Sequence, residues 1–243
     1  MWKRIILAGL LAGAMGAYAQ TKPPGGRGRG ARFLGAEAGP PGRVVRNAPY
    51  SAEMITESAQ TLADGNHIRQ STTSRIFRDS EGRTRTEQSL NGLGALAGSS
   101  TLPKVVFISD PVAGTNYALN LTNKTATKNT FGMRPPRPGA APPQDRRGPT
   151  GDNVKTESLG QKTIEGVLAE GTRTTITISA GAIGNEQPIQ VVTERWYSPE
   201  LQTLVLNKRT DPRSGETTTR LANISRAEPS RTLFEVPADY KVQ

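Results

Sequence analysis

Thr172-Arg173-Thr174-Thr175-Ile176-Thr177-Ile178 is the stretch on which the fold turns. It repeats with period two. Thr174, Ile176 and Ile178 fall on one face of an extended chain, and Thr175 and Thr177 fall on the other. Its β-branched residues are stiff at χ1, which suits a pleated strand better than a helix. Downstream, Ile189-Gln190-Val191-Val192-Thr193-Glu194-Arg195-Trp196-Tyr197 carries polar residues on both faces, and residues 202–209 (QTLVLNKR) are rich in strand formers. Upstream, residues 104–109 (KVVFIS) are an apolar run of strand length, which predicts a central or buried strand. Residues 116–121 and 125–128 read as short polar strands that need neighbours to persist. No segment sustains a 3.6-residue period between an N-cap and a C-cap. The helical hints are short, at residues 198–201 and 228–234, each with a proline placed for a first helical position. The fold class is therefore mainly β, a meander of antiparallel strands with few short helices.

The turns support the meander. Three times a strand runs into Asp and restarts after Gly: residues 78–83 (RDSEGR), 109–115 (SDPVAGT) and 210–216 (TDPRSGE). Asp accepts from the backbone two residues on, and Gly takes the left-handed position. Ala63-Asp64-Gly65-Asn66 makes a fourth hairpin turn. Turn chemistry accounts for all four aspartates, so they are not read as catalytic or calcium-binding carboxylates.

Residues 1–19 read as a cleaved signal peptide. Lys3 and Arg4 form a charged start, residues 5–15 an apolar run too short to span a bilayer, and Ala17-Tyr18-Ala19 a small-x-small cleavage site before Gln20. The destination is the periplasm or the medium, with no transmembrane segment in the mature chain. Residues 20–49 read as a disordered basic tail rich in Gly and Pro, with an Arg-Gly-Arg-Gly run at 27–30. One β domain, 50–243, follows, interrupted at 131–153 by a mobile Pro/Arg-rich linker. The two runs of strands are expected to form one sheet. The net charge is +10, yet residues 1–19, 20–47 and 131–153 hold nearly all of it. A folded nucleic-acid module carries its basic stripe on the fold, so nucleic acid is not an expected partner.

Chemistry is sparse. There is no Cys and one His, His67, which removes thiolate nucleophiles, thiolate metal sites and His-paired metal centres. His67 follows a turn and is placed near a strand start on the surface. No nucleophile elbow, zinc-binding helix or phosphate loop is present. Gly92–Gly98 lacks the strand–turn–helix context of a dinucleotide site and reads as a loop. The chain therefore reads as a non-enzymatic protein, with no catalytic residue, cofactor or metal assigned. Two alternatives stand beside this: an envelope-surface interaction protein acting through its basic tails, and a hydrolase of envelope sugars or lipids acting through carboxylates. Trp196 either caps the core or stacks on a ligand.

The C-terminal run carries a resemblance. Its order is TIEG at 163–166, VVTERWYSPEL at 191–201, LVLNKRTDPRSGE at 204–216, LANI at 221–224 and LFEVPADYKV at 233–242. In this grammar residues 154–243, with a looser echo in 67–128, resemble the LolA/RseB-like group of periplasmic lipoprotein carriers and regulators. The resemblance implies a strongly curved, half-barrel sheet whose concave face binds acyl chains or a partner's lipid moiety. The helical lid of that group has no counterpart among the segments read here. On such a sheet alternate residues of the last strands line the inner face. Ile176, Ile178, Leu204 and Leu206, with Trp196, are then either plain core or the wall of an apolar pocket for a lipid or lipidated envelope component.

Overall fold

Every segment read as extended is a strand, and all of them join one sheet. In the computed structural model the described residues are 44–89, 104–130 and 151–243, all within the unit Glu37–Gln243. The strands are β1 (Tyr50–Thr61), β2 (His67–Arg78), β3 (Thr84–Ser89), β4 (Lys104–Asp110), β5 (Thr115–Asn120), β6 (Thr125–Thr130), β7 (Val154–Ile164), β8 (Val167–Ile178), β9 (Ile189–Ser198), β10 (Thr203–Asp211), β11 (Gly215–Ser225) and β12 (Lys241–Val242). They form an open 12-stranded sheet in the order β12-β6-β5-β4-β3-β2-β1-β11-β10-β9-β8-β7. Neighbours are antiparallel except β12, which lies parallel to β6. Two meanders, β1–β6 and β7–β11, are thus sewn together along β1 and β11, from Ser51 opposite Ser225 to Ala59 opposite Glu216.

The sheet order explains the long interruption in the chain. β6 and β7 lie near opposite ends of the sheet. At ~4.8 Å between strands, no short loop joins them. The segment that does so, 131–150, lies outside the described residues, as do the signal segment, the tail to residue 43 and Gly92–Gly98. Residues 44–49, given to the tail by composition, are built into the fold. Val45 and Ala48 are buried, and the Asn47 N–H donates to the Ser80 carbonyl at 2.9 Å.

The turns follow from their residues. The Asp110 carboxylate accepts from the N–H groups of Val112 and Ala113 at 2.9 and 2.8 Å. Asp64 accepts from Asn66 at 2.9 Å and Asp211 from Arg213 at 3.0 Å. Gly65, Gly82, Gly114 and Gly215 all have positive φ. Asp79 is buried and does more. It accepts from the N–H groups of Glu81 and Arg83, and its second oxygen takes Arg83 Nε at 2.6 Å. The hint at 198–201 is not a helix: Ser198 ends β9, and residues 199–202 form the β9–β10 turn. Of the second helical hint, only one 3-10 turn forms, Arg231–Phe234.

Two apolar clusters hold the sheet. The first gathers Tyr50, Ala52, Ile76, Val167, Trp196 and Val205 with their neighbours. The second joins Val106, Ile108, Leu119 and Ala126 to Phe234. Phe234 belongs to the C-terminal strap, residues 226–243, which leaves β11 and reaches the far edge at β12. Along the way Ser80 donates to Glu228, Arg85 donates to the Leu233 carbonyl at 2.9 Å, and the Arg83 guanidinium stands 5.4 Å from the Phe234 ring centroid.

Candidate functional site

The five residues expected to line a pocket do not share a surface. The β8–β9 ladder runs without a break, pairing Gly171 with Trp196, Ile176 with Val191 and Ile178 with Ile189. Opposed residues point to the same side and consecutive ones to opposite sides. Ile176 and Ile178 therefore share one face, and Trp196 points out of the other. A bulge at Val205 splits the remaining pair: Leu204 opposes Tyr197, whereas Leu206 opposes Trp196. Leu204 thus goes with the isoleucines, and Leu206 with the tryptophan.

Trp196 is core. It is 7% exposed, and its ring lies directly on Gly171, where a β-carbon would sit 2.6 Å from Cζ3. The Lys162 ammonium lies 3.8 Å from its ring centroid. Leu206 packs against the same cluster.

Ile176 and Ile178 belong to a different arrangement. Val154, Ile176 and Val191 oppose one another across β7, β8 and β9, with Ile178 and Ile189 in the next row. Four of these are half-buried and Val191 is buried. None belongs to either packed cluster. Ile183, in the loop joining β8 to β9, is 58% exposed beyond them. Val154, Ile189 and Val191 escape sequence reasoning because only the strand register brings them beside Ile176. The signal available was the apolar alternation Ile189-x-Val191 next to Ile176-x-Ile178.

A groove of about 430 Å³ lies elsewhere, over β1, β2 and β11, lined by Glu57, Ala59, Arg69, Ser71, Glu216 and Thr218 among others. Its wall is polar. Glu216 is tied to Lys208 at 3.0 Å. Among the described residues no group of His, Asp and Glu is placed to hold a metal ion. His67 opens β2 on the surface, its Nδ1 3.1 Å from the Thr61 hydroxyl. Asp211 is the carboxylate most strongly perturbed. Hydrogen bonds from Arg213 hold its carboxyl far below the usual range against the opposing effect of burial, and Arg209 adds a further bond. That cluster closes the β10–β11 turn.

No family model matches the chain, and no curated protein matches it. Among solved structures it is similar to an uncharacterized conserved protein from Thermus thermophilus. That match has 9% identity and a TM-score of 0.43, and covers 81% of this chain and 90% of the other. It is also similar to MucB in the Pseudomonas aeruginosa MucA/MucB complex structure, with 12% identity and a TM-score of 0.43 over 82% of this chain and 59% of that one. The chain therefore spans about three-fifths of that structure's length. A third is a LolA superfamily protein from Nitrosomonas europaea, with 7% identity and a TM-score of 0.34 over 79% and 92% of the two chains. A LolA superfamily protein is thus among the solved structures to which the chain is similar. At these identities the likeness concerns the sheet alone.

Proposed function

We propose that the chain is a non-enzymatic protein of the cell envelope that holds a hydrophobic or lipid-bearing ligand against β7–β9. The observation that carries this reading is the pair of apolar rows, Val154–Ile176–Val191 and Ile178–Ile189, half open and separate from both packed clusters. Apolar surface left in water favours whatever covers it, at roughly 25 cal/mol per Å². The signal-like N-terminus supports a ligand met outside the cytoplasm. Within this reading Ile176 and Ile178 touch the ligand; Leu204 shares their face but stands apart on β10, opposite Tyr197, and Trp196 and Leu206 support the sheet from its other face.

The test is titration of the mature protein with a fluorescent fatty-acid analogue. Binding is expected to be saturable. Ile176→Asp, which puts a charge among the apolar rows, is expected to weaken it by about tenfold or more, the equivalent of ~1.4 kcal/mol. Ile189→Asp should do the same, although sequence alone did not point to it. Equal binding by both variants and the parent, with their circular dichroism unchanged, would sink the proposal.

A further inference from the structure

The two faces of β7–β11, β1 and β2 have sorted their side chains differently. On one face, charges alternate in sign across the strands: Glu157, Arg173, Glu194 and Lys208 oppose one another in turn. Glu57 and Glu216 continue this side. It is the ordinary composition of a solvated sheet, and its ion pairs are satisfied locally, Arg173 to Glu194 at 2.7 Å and Lys208 to Glu216 at 3.0 Å.

The other face, which also carries Ile176 and Ile178, holds two rows of polar groups, uncharged but for one arginine in each. One runs from Thr156 through Thr174, Thr193, Arg209 and Thr217 to Ser58. The next runs from Thr172 through Arg195, Asn207 and Thr219 to Thr56 and Thr72. Neither row holds a carboxylate. Arg209 is shared with Asp211, at 3.2 Å. Arg195 is exposed, and its side chain makes no ion pair or hydrogen bond among the described residues. Beside it the Asn207 Oδ1 atom is buried without a hydrogen-bond partner.

We infer that this face binds an anionic polysaccharide laid across the strands. Hydroxyl and amide side chains both donate and accept, as sugar hydroxyls do. They recur here at the inter-strand step of ~4.8 Å, so an extended polymer meets such a group at each strand it crosses. Arg195 offers a planar fork suited to a carboxylate or sulfate, and no carboxylate in the rows repels one. One exposed aromatic, Tyr197, flanks Arg195 on this face, too little platform for single-stranded nucleic acid, whose successive bases each need a face to stack on.

The experiment uses the full chain, with sodium alginate as the polyuronate probe and dextran as the neutral control. Alginate is expected to bind saturably and more weakly as salt rises, and dextran at least tenfold more weakly than alginate. Arg195→Gln should lower alginate affinity about tenfold. Arg69→Gln removes the same charge from the opposite face and should change it less than twofold. Because the basic residues before position 47 are common to both variants, their contribution cancels in the comparison. Thr193→Val with Thr217→Val keeps the β-branched shape and should also weaken binding, with the chains remaining folded. Absence of alginate binding, equal losses in Arg195→Gln and Arg69→Gln, or equal affinity for dextran would each overturn the inference.

Discussion

Arg78 is a buried cation that forms no ion pair among the described residues. Its Nε donates to the Ala48 carbonyl at 3.0 Å, a terminal nitrogen donates to the Leu201 carbonyl, and its guanidinium stacks 4.7 Å from the Tyr50 ring centroid. One side chain thus ties the entry segment, β1 and the β9–β10 turn together, which Lys, a point charge on a flexible stem, does not reproduce. Asp79 is the complementary case. Removing it in Asp79→Ala leaves the buried Arg83 guanidinium with only its longer, 3.4 Å contact to the exposed Glu81, and two turn N–H groups without their acceptor. The expected loss is about 3 kcal/mol or more, read as a shift of the urea midpoint. Gly171→Ala drives a methyl into the Trp196 ring. It should cost about 2 kcal/mol and alter the indole emission, since Trp196 is the only tryptophan after Trp2. Asp211 makes stability pH-dependent. Its folded carboxyl lies far below the unfolded value of about 3.9. Its contribution is therefore whole above that value and lost as pH falls toward the folded one. Unfolding free energy measured from about pH 5 down to pH 2 should fall more steeply in the parent than in Asp211→Asn.

At the scale of elements, the hairpins were legible and the faces were not. Turns that pair an Asp with a following Gly are local chemistry, and all four stand where their residues put them. The Glu165-Gly166 turn between β7 and β8 is similar in kind: both residues have positive φ, as a two-residue hairpin requires. Gly215 adds a constraint from outside its own hairpin, because a β-carbon there would overlap the Ala59 carbonyl of β1. Gly215→Ala is expected to disturb the β1–β11 pairing as well as its turn, with amide exchange rising along both strands. Sides of the sheet were harder to read because strict alternation fails at a bulge. The extra residue at Val205 sends Leu204 and Leu206 to opposite faces. Leu159 does the same to β7, between Ser158 and Gly160. The shared face of Ile176 and Ile178 is legible because their segment has no bulge. Trp196 was left between core and ligand because nothing in its own strand reveals Gly171 beneath it.

For the molecule as a whole, period-two runs and turn residues reveal the class, while the strand order needs contacts that no local pattern records. The strap is one such contact. Truncation after Ala227 removes Phe234 and Tyr240 from the cluster of Val106, Ile108 and Leu119. Amide protection should then fall in β3–β6 and persist in β7–β9, a split that hydrogen exchange with mass spectrometry resolves. The seam between β1 and β11 is another, and its consequence is one of timing. Thr56 and Thr219, whose hydroxyls meet at 3.2 Å, are 163 residues apart. Closing a loop of that length costs about 4.5 kcal/mol of chain entropy before the first seam bond is made. Each meander is assembled from neighbours in sequence and can begin early, but the halves have no shared edge until residues near 225 are free to pair. Folding should accordingly be slow for the chain's size, as non-local pairings make it. A nascent chain emerging from its N-terminus would hold two incomplete sheets, their edges unpaired, until almost its last strand arrived.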